Sequence, residues 1–291
     1  MSRGMWMLVL IAAEDGLSEA LVRRVAAAAG GGVVDWLSPG EAAEISCPAL
    51  PDRTLVAEAV GDAAVDAAVV PAAGRRKRVL VADMDSTIVT GETLDELAAF
   101  AGVGDQVAAI TRRSMNGELD FAAALRERVA LLEGLDVSAL ERTWAGVTLT
   151  PGARVLVRTM KAHGATTALV SGGFTWFTGR VAGLCGFDVH RANVLLDDGR
   201  VLLGRVGEPI LDRAAKLATM RELAAGAGVS EADCLAVGDG ANDLAMIRAA
   251  GLGVAFRAKT VVAAEARTRV RFGDLRALLF LQGYGVGEFV G

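Results

Sequence analysis

Cysteine, aromatic residues and uninterrupted runs of one charge are all scarce in this sequence. The three cysteines, Cys47, Cys185 and Cys234, lie far apart, and their odd number and the lack of a CxxC pair argue against a disulfide framework or a zinc site. We therefore expect a reducing, cytoplasmic compartment. Aromatic residues make up 5% of the 291 residues and hydrophobic residues 53%, a balance that favours packed α/β layers over an all-β sandwich.

Two classes of protein are excluded by what the chain lacks. Its formal net charge is −5, and its one basic cluster, at 75–78, predicts a solvated linker and no nucleic-acid partner. No stretch is long and uncharged enough to span a membrane. The apolar run at 5–13 imitates a signal peptide, but it is short and precedes an amphipathic helical pattern, so we interpret it as a first strand.

Apolar periodicity predicts a small α/β domain before the linker and a larger domain after it. In the first, strands at 5–13 and 33–37 flank a helix at 17–29, and no catalytic constellation is present. In the second, strands alternate with helices, which predicts an α/β fold with a doubly wound parallel sheet. The elements predicted there are strands at 78–82, 165–170, 234–237 and 251–256, a helical block at 92–146, helices at 174–185 and 212–225, and a hairpin around 197–199.

Polar residues follow three of the four strands predicted in the larger domain. They are Asp83 and Asp85 after the first, Ser171 after the second, and Asp239 and Asp243 after the third. Each motif alone has an ordinary explanation: a turn or helix cap for an isolated DxD, turn chemistry for Ser-Gly-Gly, and a favourable helix N-terminal acid for Asp243. Because ligands of open parallel sheets bind outside the carboxyl ends of the strands, we expect all three motifs to face one crevice.

The chemistry of these motifs predicts a phosphate and a cation in that crevice. A serine hydroxyl and free N–H groups at a helix N-terminus form a phosphate cradle, and several carboxylate oxygens suit Mg²⁺. Two like charges about 4 Å apart repel by about 4 kcal/mol at an effective dielectric near 20, so a carboxylate can approach a phosphate only with cations nearby. Lys216 is the candidate side chain, although a lysine on such a helix more often faces solvent.

The order DxDST, strand-SGG, Lys and GDGxND over about 78–256 resembles the haloacid dehalogenase superfamily of phosphatases. The resemblance implies that Asp83 is the nucleophile that forms an aspartyl-phosphate, and that Asp85 is the general acid and then the base. The residues implied to hold the phosphoryl oxygens are Ser171, Gly172 and Lys216. The ligands implied for Mg²⁺ are Asp83, the backbone carbonyl of Asp85, and Asp239, with Asp243 behind them or on a metal-bound water.

This superfamily places a helical cap directly after its first motif, which implies a division of the chain. The division is a small α/β domain at 1–72, a linker at 73–78, a catalytic core at 79–91 and 147–291, and a cap at 92–146. The first domain weakly resembles the degenerate regulatory-type, small-molecule-binding domain of some bacterial relatives. It has no ligand motif, so a structural or oligomerising role is equally supported, and a homodimer is left open.

The cap segment resembles the phosphoserine phosphatases in particular. The stretches concerned are Glu92, 113–117, Asp120-Phe121, 125–129 and the later 281–284. The resemblance implies that Glu92 binds the ammonium and Arg128 the carboxylate of O-phospho-L-serine. It also implies that Met115 and Phe121 close a lid over the serine, and that Asn242 adds a polar contact.

One observation supports Arg128 without reference to a family. At about 100° per residue, Arg128 falls on one stripe with Phe121, Leu125 and Leu132, whereas Arg126 points away. A charge on an apolar face is costly unless it is paired, and arginine recognises carboxylates in a bidentate manner. A snorkelling arginine or a structural salt bridge is the alternative for Arg128, and a helix cap is the alternative for Glu92.

The expected activity is the Mg²⁺-dependent hydrolysis of O-phospho-L-serine to serine and phosphate, the last step of serine synthesis in the family that the chain resembles. Two alternatives stay open at this point. One is a relative that acts on another small phosphomonoester or transfers the phosphoryl group to an alcohol such as homoserine. The other is a non-catalytic regulator that binds an amino acid. His163 and His190 lie outside every motif, and we expect neither to be catalytic.

Overall fold

The computed structural model describes residues 6–13, 16–115 and 118–291, except for the side chain of Met115. These residues form a four-stranded sheet, a six-stranded sheet and a two-stranded hairpin, with helices packed around them. The predicted role of Met115 falls on a side chain outside the described residues.

The N-terminal sheet is antiparallel and has the strand order β2-β3-β1-β4. Its elements are β1 (Trp6–Ala12), α1 (Glu19–Ala28), β2 (Val34–Ser38), β3 (Ala42–Cys47), α2 (Arg53–Val60) and β4 (Val65–Pro71). This β-α-β-β-α-β order is the ferredoxin-like arrangement. Alternate residues of β1 face the two helices on one side and the rest of the protein on the other, which explains why the strand is buried almost throughout.

The larger sheet is parallel throughout and has the strand order β12-β11-β10-β5-β6-β7. Its strands are β5 (Val79–Ala82), β6 (Thr166–Phe174), β7 (Val189–Asn193), β10 (Cys234–Gly238), β11 (Leu252–Phe256) and β12 (Thr268–Val270). Both faces of β5 and β10 are covered, and these strands are wholly apolar, as expected for a doubly wound sheet. The predicted fold class is confirmed.

Four helices follow β5 and form a cap over the carboxyl edge of the sheet. They are α3 (Thr93–Phe100), α4 (Gly104–Met115), α5 (Phe121–Ala130) and α6 (Ser138–Gly146). The hairpin β8 (Leu195–Asp197) and β9 (Leu202–Val206) contacts α5. The remaining helices are α7 (Ala153–Ala162), α8 (Thr175–Cys185), α9 (Arg213–Gly226), α10 (Leu244–Ala249), α11 (Thr260–Glu265) and α12 (Ala277–Leu281).

The N-terminal sheet packs directly on the rest of the chain. Met7, Val9 and Ile11 of β1 belong to the same apolar core as helix α12. The buried carboxylate of Asp66 accepts hydrogen bonds of 2.8–3.0 Å from the backbone N–H groups of residues 271–273. Arg75 pairs with Glu44 at 2.7 Å. These contacts stabilise the junction by apolar burial and by hydrogen bonds to a charged acceptor.

Several elements were absent from the sequence-based prediction. Strands β3 and β7, the short strand β12, and helices α2 and α7 lie in segments for which the apolar pattern gave no assignment. The exact domain boundaries stay a prediction. Within the described residues, every helix is too short or too polar to cross a membrane.

Candidate active site

The carboxyl ends of β5, β6 and β10 lie side by side in the parallel sheet, and a crevice of about 150 Å³ opens above them. Strand order reverses at β5, which is the switch point where open α/β sheets bind ligands. The residues that line the crevice include most of the predicted site: Asp83, Asp85, Glu92, Phe121, Arg128, Ser171, Gly172, Asp239 and Asn242. Leu94, Gly173, Gly240 and Lys259 complete the wall.

A buried ammonium group joins two carboxylates at the floor of the crevice. Lys216 is 1% exposed, and its Nζ lies 2.7 Å from Asp83 Oδ1 and 2.6 Å from Asp243 Oδ1. Burial alone lowers the pKa of Lys216, but the charges of Asp83 and Asp243 outweigh that effect and raise it. The lysine is therefore charged at neutral pH, and the alternative of a solvent-facing lysine is wrong.

The acidic residues have the geometry of a cation site. Carboxylate oxygens of Asp83, Asp239 and Asp243 lie within 4.8 Å of one another. Asp243 already uses one oxygen for Lys216 and accepts a 3.0 Å hydrogen bond from the Gly240 N–H with the other. Asp83 and Asp239 keep oxygens that face the crevice, and hard oxygen donors of this kind suit a divalent cation.

Crowding of these acids disfavours their ionised forms. Burial raises the pKa of Asp239 to about 6, with repulsion from Asp83 as the next cause. Burial likewise raises the pKa of Asp243 to about 7, again with repulsion from Asp83. A bound cation offsets such repulsion, so the cluster is arranged for a ligand at the expense of the stability of the metal-free fold.

We expect Asp239→Asn to stabilise the metal-free protein at pH 7.5 by about 2–3 kcal/mol. The folded state binds the Asp239 proton more tightly than the unfolded state, so this residue's contribution falls as pH rises from 3.8 to about 6. The neutral amide of asparagine avoids the cost of ionising this buried group, and the difference in stability should disappear near pH 4. Urea denaturation in EDTA at pH 7.5 and at pH 4 measures the free energy of unfolding, with the exposed Asp62→Asn as the control. A variant less stable than wild type at pH 7.5 contradicts this account.

Two hydrogen bonds hold the Asp85 carboxyl group in place. Its Oδ1 accepts a 2.9 Å hydrogen bond from the Thr93 N–H, and the Ser171 hydroxyl donates to its Oδ2 at 3.4 Å. Burial raises the pKa of Asp85 to about 7, and Glu92 and Asp83 add repulsion. A carboxyl group with this pKa exists in both protonation states near neutral pH, as a group that serves as acid and then base requires.

Residues near the end of β6, Ser171 to Gly173, have the form of an anion cradle, and the strand runs four residues beyond the predicted end at 170. The Ser171 hydroxyl accepts a 2.9 Å hydrogen bond from the Gly173 N–H. A Cβ atom added to Gly172 would lie 3.1 Å from Cζ of Phe121, so the aromatic ring covers this glycine closely. A larger residue at 172 would therefore displace the ring, which shows that the cap and the end of β6 enclose the crevice together.

Glu92 and Arg128 lie at the cap side of the crevice. Glu92 occupies the N-cap position of α3 but makes no capping hydrogen bond; its Oε1 accepts a 2.7 Å hydrogen bond from the Ser86 hydroxyl instead. A side-chain cap is therefore the wrong explanation for Glu92. Burial raises the pKa of this carboxyl, which is consistent with a group arranged to receive a cationic partner.

Arg128 is half-buried and faces the crevice, whereas Arg126 is exposed and pairs with Glu208 at 2.7 Å, as the helical projection predicted. The Nε of Arg128 donates a hydrogen bond to the Ala124 carbonyl at 3.3 Å. Among the described residues, no carboxylate lies within 4.0 Å of this guanidinium, so a structural salt bridge does not account for it. The terminal N–H groups of the Arg128 guanidinium are therefore available to an anion in the crevice.

Two residues of the site were missed from the sequence. Lys259 lines the crevice after β11, with its Nζ 3.8 Å from Asp239 Oδ2. The buried Asn193 donates to the Gly172 carbonyl at 2.9 Å and accepts from the Leu211 N–H at 2.7 Å. It therefore joins the anion cradle to the segment that leads into α9. Lys259 comes shortly after β11, so the rule applied to the other strand ends could have identified it. Asn193 is the last residue of β7, a strand to which the apolar pattern gave no assignment.

The two histidines contact residues away from the crevice. The ring of His163 lies 4.8 Å from that of Tyr284, and His190 Nδ1 lies 3.0 Å from the Thr178 hydroxyl. Neither lines the crevice.

Comparison with known proteins adds relatives of this architecture. Residues 77–251 match the model of the haloacid dehalogenase-like hydrolases. The chain is 48% identical over 236 residues to a phosphoserine phosphatase of Streptomyces coelicolor, covering 80% of this chain and 57% of the relative. It is 49% identical over 189 residues to one of Archaeoglobus fulgidus, covering 65% and 55%.

Solved structures agree with these matches. A probable phosphoserine phosphatase from Vibrio cholerae superposes with a TM-score of 0.80 at 30% identity, covering 98% of this chain and 88% of that one. A substrate-bound phosphoserine phosphatase superposes with a TM-score of 0.65 at 37% identity, covering 70% and 97%. The chain spans little more than half the length of the two relatives from Streptomyces and Archaeoglobus. It belongs to the haloacid dehalogenase-like hydrolases.

Proposed function

We propose that this protein hydrolyses O-phospho-L-serine to L-serine and inorganic phosphate. The observation that supports this most directly is the arrangement of one crevice. A nucleophilic acid and a phosphate cradle lie at its floor, and a guanidinium and a carboxylate lie at its cap side. The spacing of opposite charges suits a substrate that has a phosphate at one end and an ammonium and a carboxylate at the other. The relatives and solved structures named above support the same substrate.

In the first step, a carboxylate oxygen of Asp83 attacks phosphorus. The bond between phosphorus and the seryl oxygen breaks, its electron pair stays on that oxygen, and Asp85 supplies the proton. In the second step, ionised Asp85 takes a proton from water as the water oxygen attacks phosphorus. Asp83 then leaves as a carboxylate, and inorganic phosphate is released.

The surrounding groups neutralise and position the phosphate. We infer that Lys216, the Ser171 hydroxyl and the N–H groups that follow Ser171 hold the phosphoryl oxygens. Asp83, the backbone carbonyl of Asp85, and Asp239 are the groups that would hold Mg²⁺, and Asp243 supports Lys216 from behind. When bound, Mg²⁺ supplies positive charge for the phosphoryl oxygens and offsets the repulsion between them and the acids.

At the cap side, we infer that Arg128 binds the substrate carboxylate and Glu92 its ammonium group. Phe121 and Asn242 complete the wall around the serine. Burial lowers the pKa of Arg128 while Asp95 and Glu92 act to raise it, and the guanidinium remains charged at any physiological pH.

We expect Arg128→Ala to reduce kcat/KM for O-phospho-L-serine by about 100-fold or more, since a bidentate charged contact is lost. Hydrolysis of p-nitrophenyl phosphate, which lacks the amino-acid group, should fall less than about fivefold. Steady-state kinetics on both substrates measure the difference. Arg126→Ala, two residues away on the exposed face of the same helix, is the matched control and should leave both rates unchanged. Equal losses on the two substrates would argue against the carboxylate contact.

The activity itself is tested by measuring phosphate and serine released from O-phospho-L-serine. We expect equal amounts of both products with Mg²⁺, and a loss of at least about 100-fold in EDTA that Mg²⁺ restores. Adding homoserine distinguishes a phosphotransferase, which would yield a phosphorylated acceptor in place of phosphate. A protein that binds the amino acid but releases no phosphate from any phosphomonoester would instead be a non-catalytic regulator.

A further inference from the structure

A second recess lies at the junction of the N-terminal sheet and the parallel sheet, apart from the acidic crevice. Its volume is about 290 Å³, and its apolar floor includes Leu8 and Val56. Three arginines line it: Arg53, Arg267 and Arg269. We name it the arginine recess.

The charge of the arginine recess is entirely of one sign. Its lining contains no aspartate or glutamate. Within the part of the chain that the structure describes, none of the three guanidinium groups makes a hydrogen bond or an ion pair. Three like charges around one concave surface repel one another, and the chain as a whole has a net charge of −5. An anion between the guanidinium groups would remove this local repulsion.

The fold directs these arginines toward one place from two different parts of the protein. Arg53 is the first residue of α2, next to the N-terminal sheet. Arg267 and Arg269 alternate with the buried Thr268 and Val270, so both side chains leave the same face of the chain around β12. The two sheets meet here through their outer strands, β4 and β12.

The chemistry of the arginine recess defines the class of its ligand. Guanidinium groups bind the oxygens of carboxylates and phosphates in a planar, bidentate manner. An outer strand such as β4 also offers backbone groups without a ladder partner. The apolar floor adds affinity for a hydrocarbon part. The volume limits the ligand to a small molecule.

We propose that the arginine recess binds a small organic anion that has a phosphate-like or carboxylate head and a short apolar body. Because Arg53 belongs to the N-terminal domain and Arg267 and Arg269 to the segment around β12, the bound anion also links the N-terminal domain to the rest of the chain. This site is separate from the acidic crevice, and the proposal does not depend on the reaction that occurs there.

Calorimetric titration of the full chain with phenylphosphonate tests the proposal, since this dianion has an apolar body and cannot be hydrolysed as a phosphate ester. We expect two binding events, one in the acidic crevice that inorganic phosphate displaces, and one in the arginine recess. The variant R53Q/R267Q/R269Q should weaken only the second event, by at least about tenfold. Benzoate replaces the phosphonate head by a carboxylate, and methylphosphonate replaces the phenyl body by a methyl group. Their affinities therefore separate the contributions of the head and the body.

Arg213→Gln is the matched control, because Arg213, like Arg53, is the first residue of a helix capped by an aspartate. It should retain both events. The three substituted arginines are exposed, so the variant should fold, and circular dichroism verifies this. If the wild type shows a single event that the triple variant retains, or if the triple variant retains both events with unchanged affinity, the arginine recess is not a binding site.

Discussion

Replacing Asp83 by asparagine is expected to reduce turnover of O-phospho-L-serine by at least about 10⁴-fold while the fold stays intact. An amide oxygen is a poor nucleophile, and no other described carboxylate combines the position after β5 with a 2.7 Å contact to Lys216. Asparagine has nearly the same shape, and its oxygen can still accept the 2.8 Å hydrogen bond from the Met84 N–H. Phosphate release and thermal unfolding measure the two effects separately.

A chemical trap makes the test of Asp83 specific. Wild-type protein quenched with acid during turnover should retain labelled phosphate on the peptide that contains residue 83, and the variant should retain none. Asp66→Asn is the control, since Asp66 is as buried as Asp83 (7% against 5%) but lies at the junction with the N-terminal sheet. It should lose stability but keep its catalytic rate. Full activity in Asp83→Asn would refute the covalent mechanism.

The catalytic end of the site could be predicted because it depends on local rules. Asp83 and Asp239 directly follow short apolar strands and Ser171 lies near the carboxyl end of β6, and parallel strands bring these ends to one edge. That places the residues near one another before any distance is known. The inward position of the Lys216 side chain could not be predicted in this way, because the sequence of its helix does not indicate it. Only the contacts with Asp83 and Asp243 show that the ammonium group is buried in the site.

The parts that sequence patterns missed are those fixed by tertiary contacts. Strand β12 has only three residues and is fixed by its pairing with β11. Helix α2 follows Asp52, a good N-cap, but the nearby prolines obscured that signal. The arginine recess is assembled from residues more than 200 positions apart, a separation at which periodicity gives no information.

The second large effect is expected for Lys216→Met, which removes the cation between two buried carboxylates. Asp83 and Asp243 would then face each other without compensation, and breaking a buried ion pair in this way costs about 3–5 kcal/mol. Activity should fall about 10³-fold, because the phosphate also loses a positive contact. The pKa of Asp243 is already raised to about 7, and it should rise further without the lysine. The loss of stability should therefore be larger at pH 8 than at pH 5.5, where the neutral acid predominates.

Denaturation in urea at the two pH values measures this difference, and Lys161→Met provides the matched control. Lys161 pairs with Asp188 at 2.7 Å, but both side chains are more than a third exposed, so its loss should cost less than about 1 kcal/mol at either pH. Mg²⁺ should recover part of the stability of Lys216→Met, because it returns positive charge to the same oxygens. If Lys216→Met were as stable as Lys161→Met and retained activity within tenfold of wild type, the buried ammonium would have neither the structural nor the catalytic role that its contacts with Asp83 and Asp243 indicate.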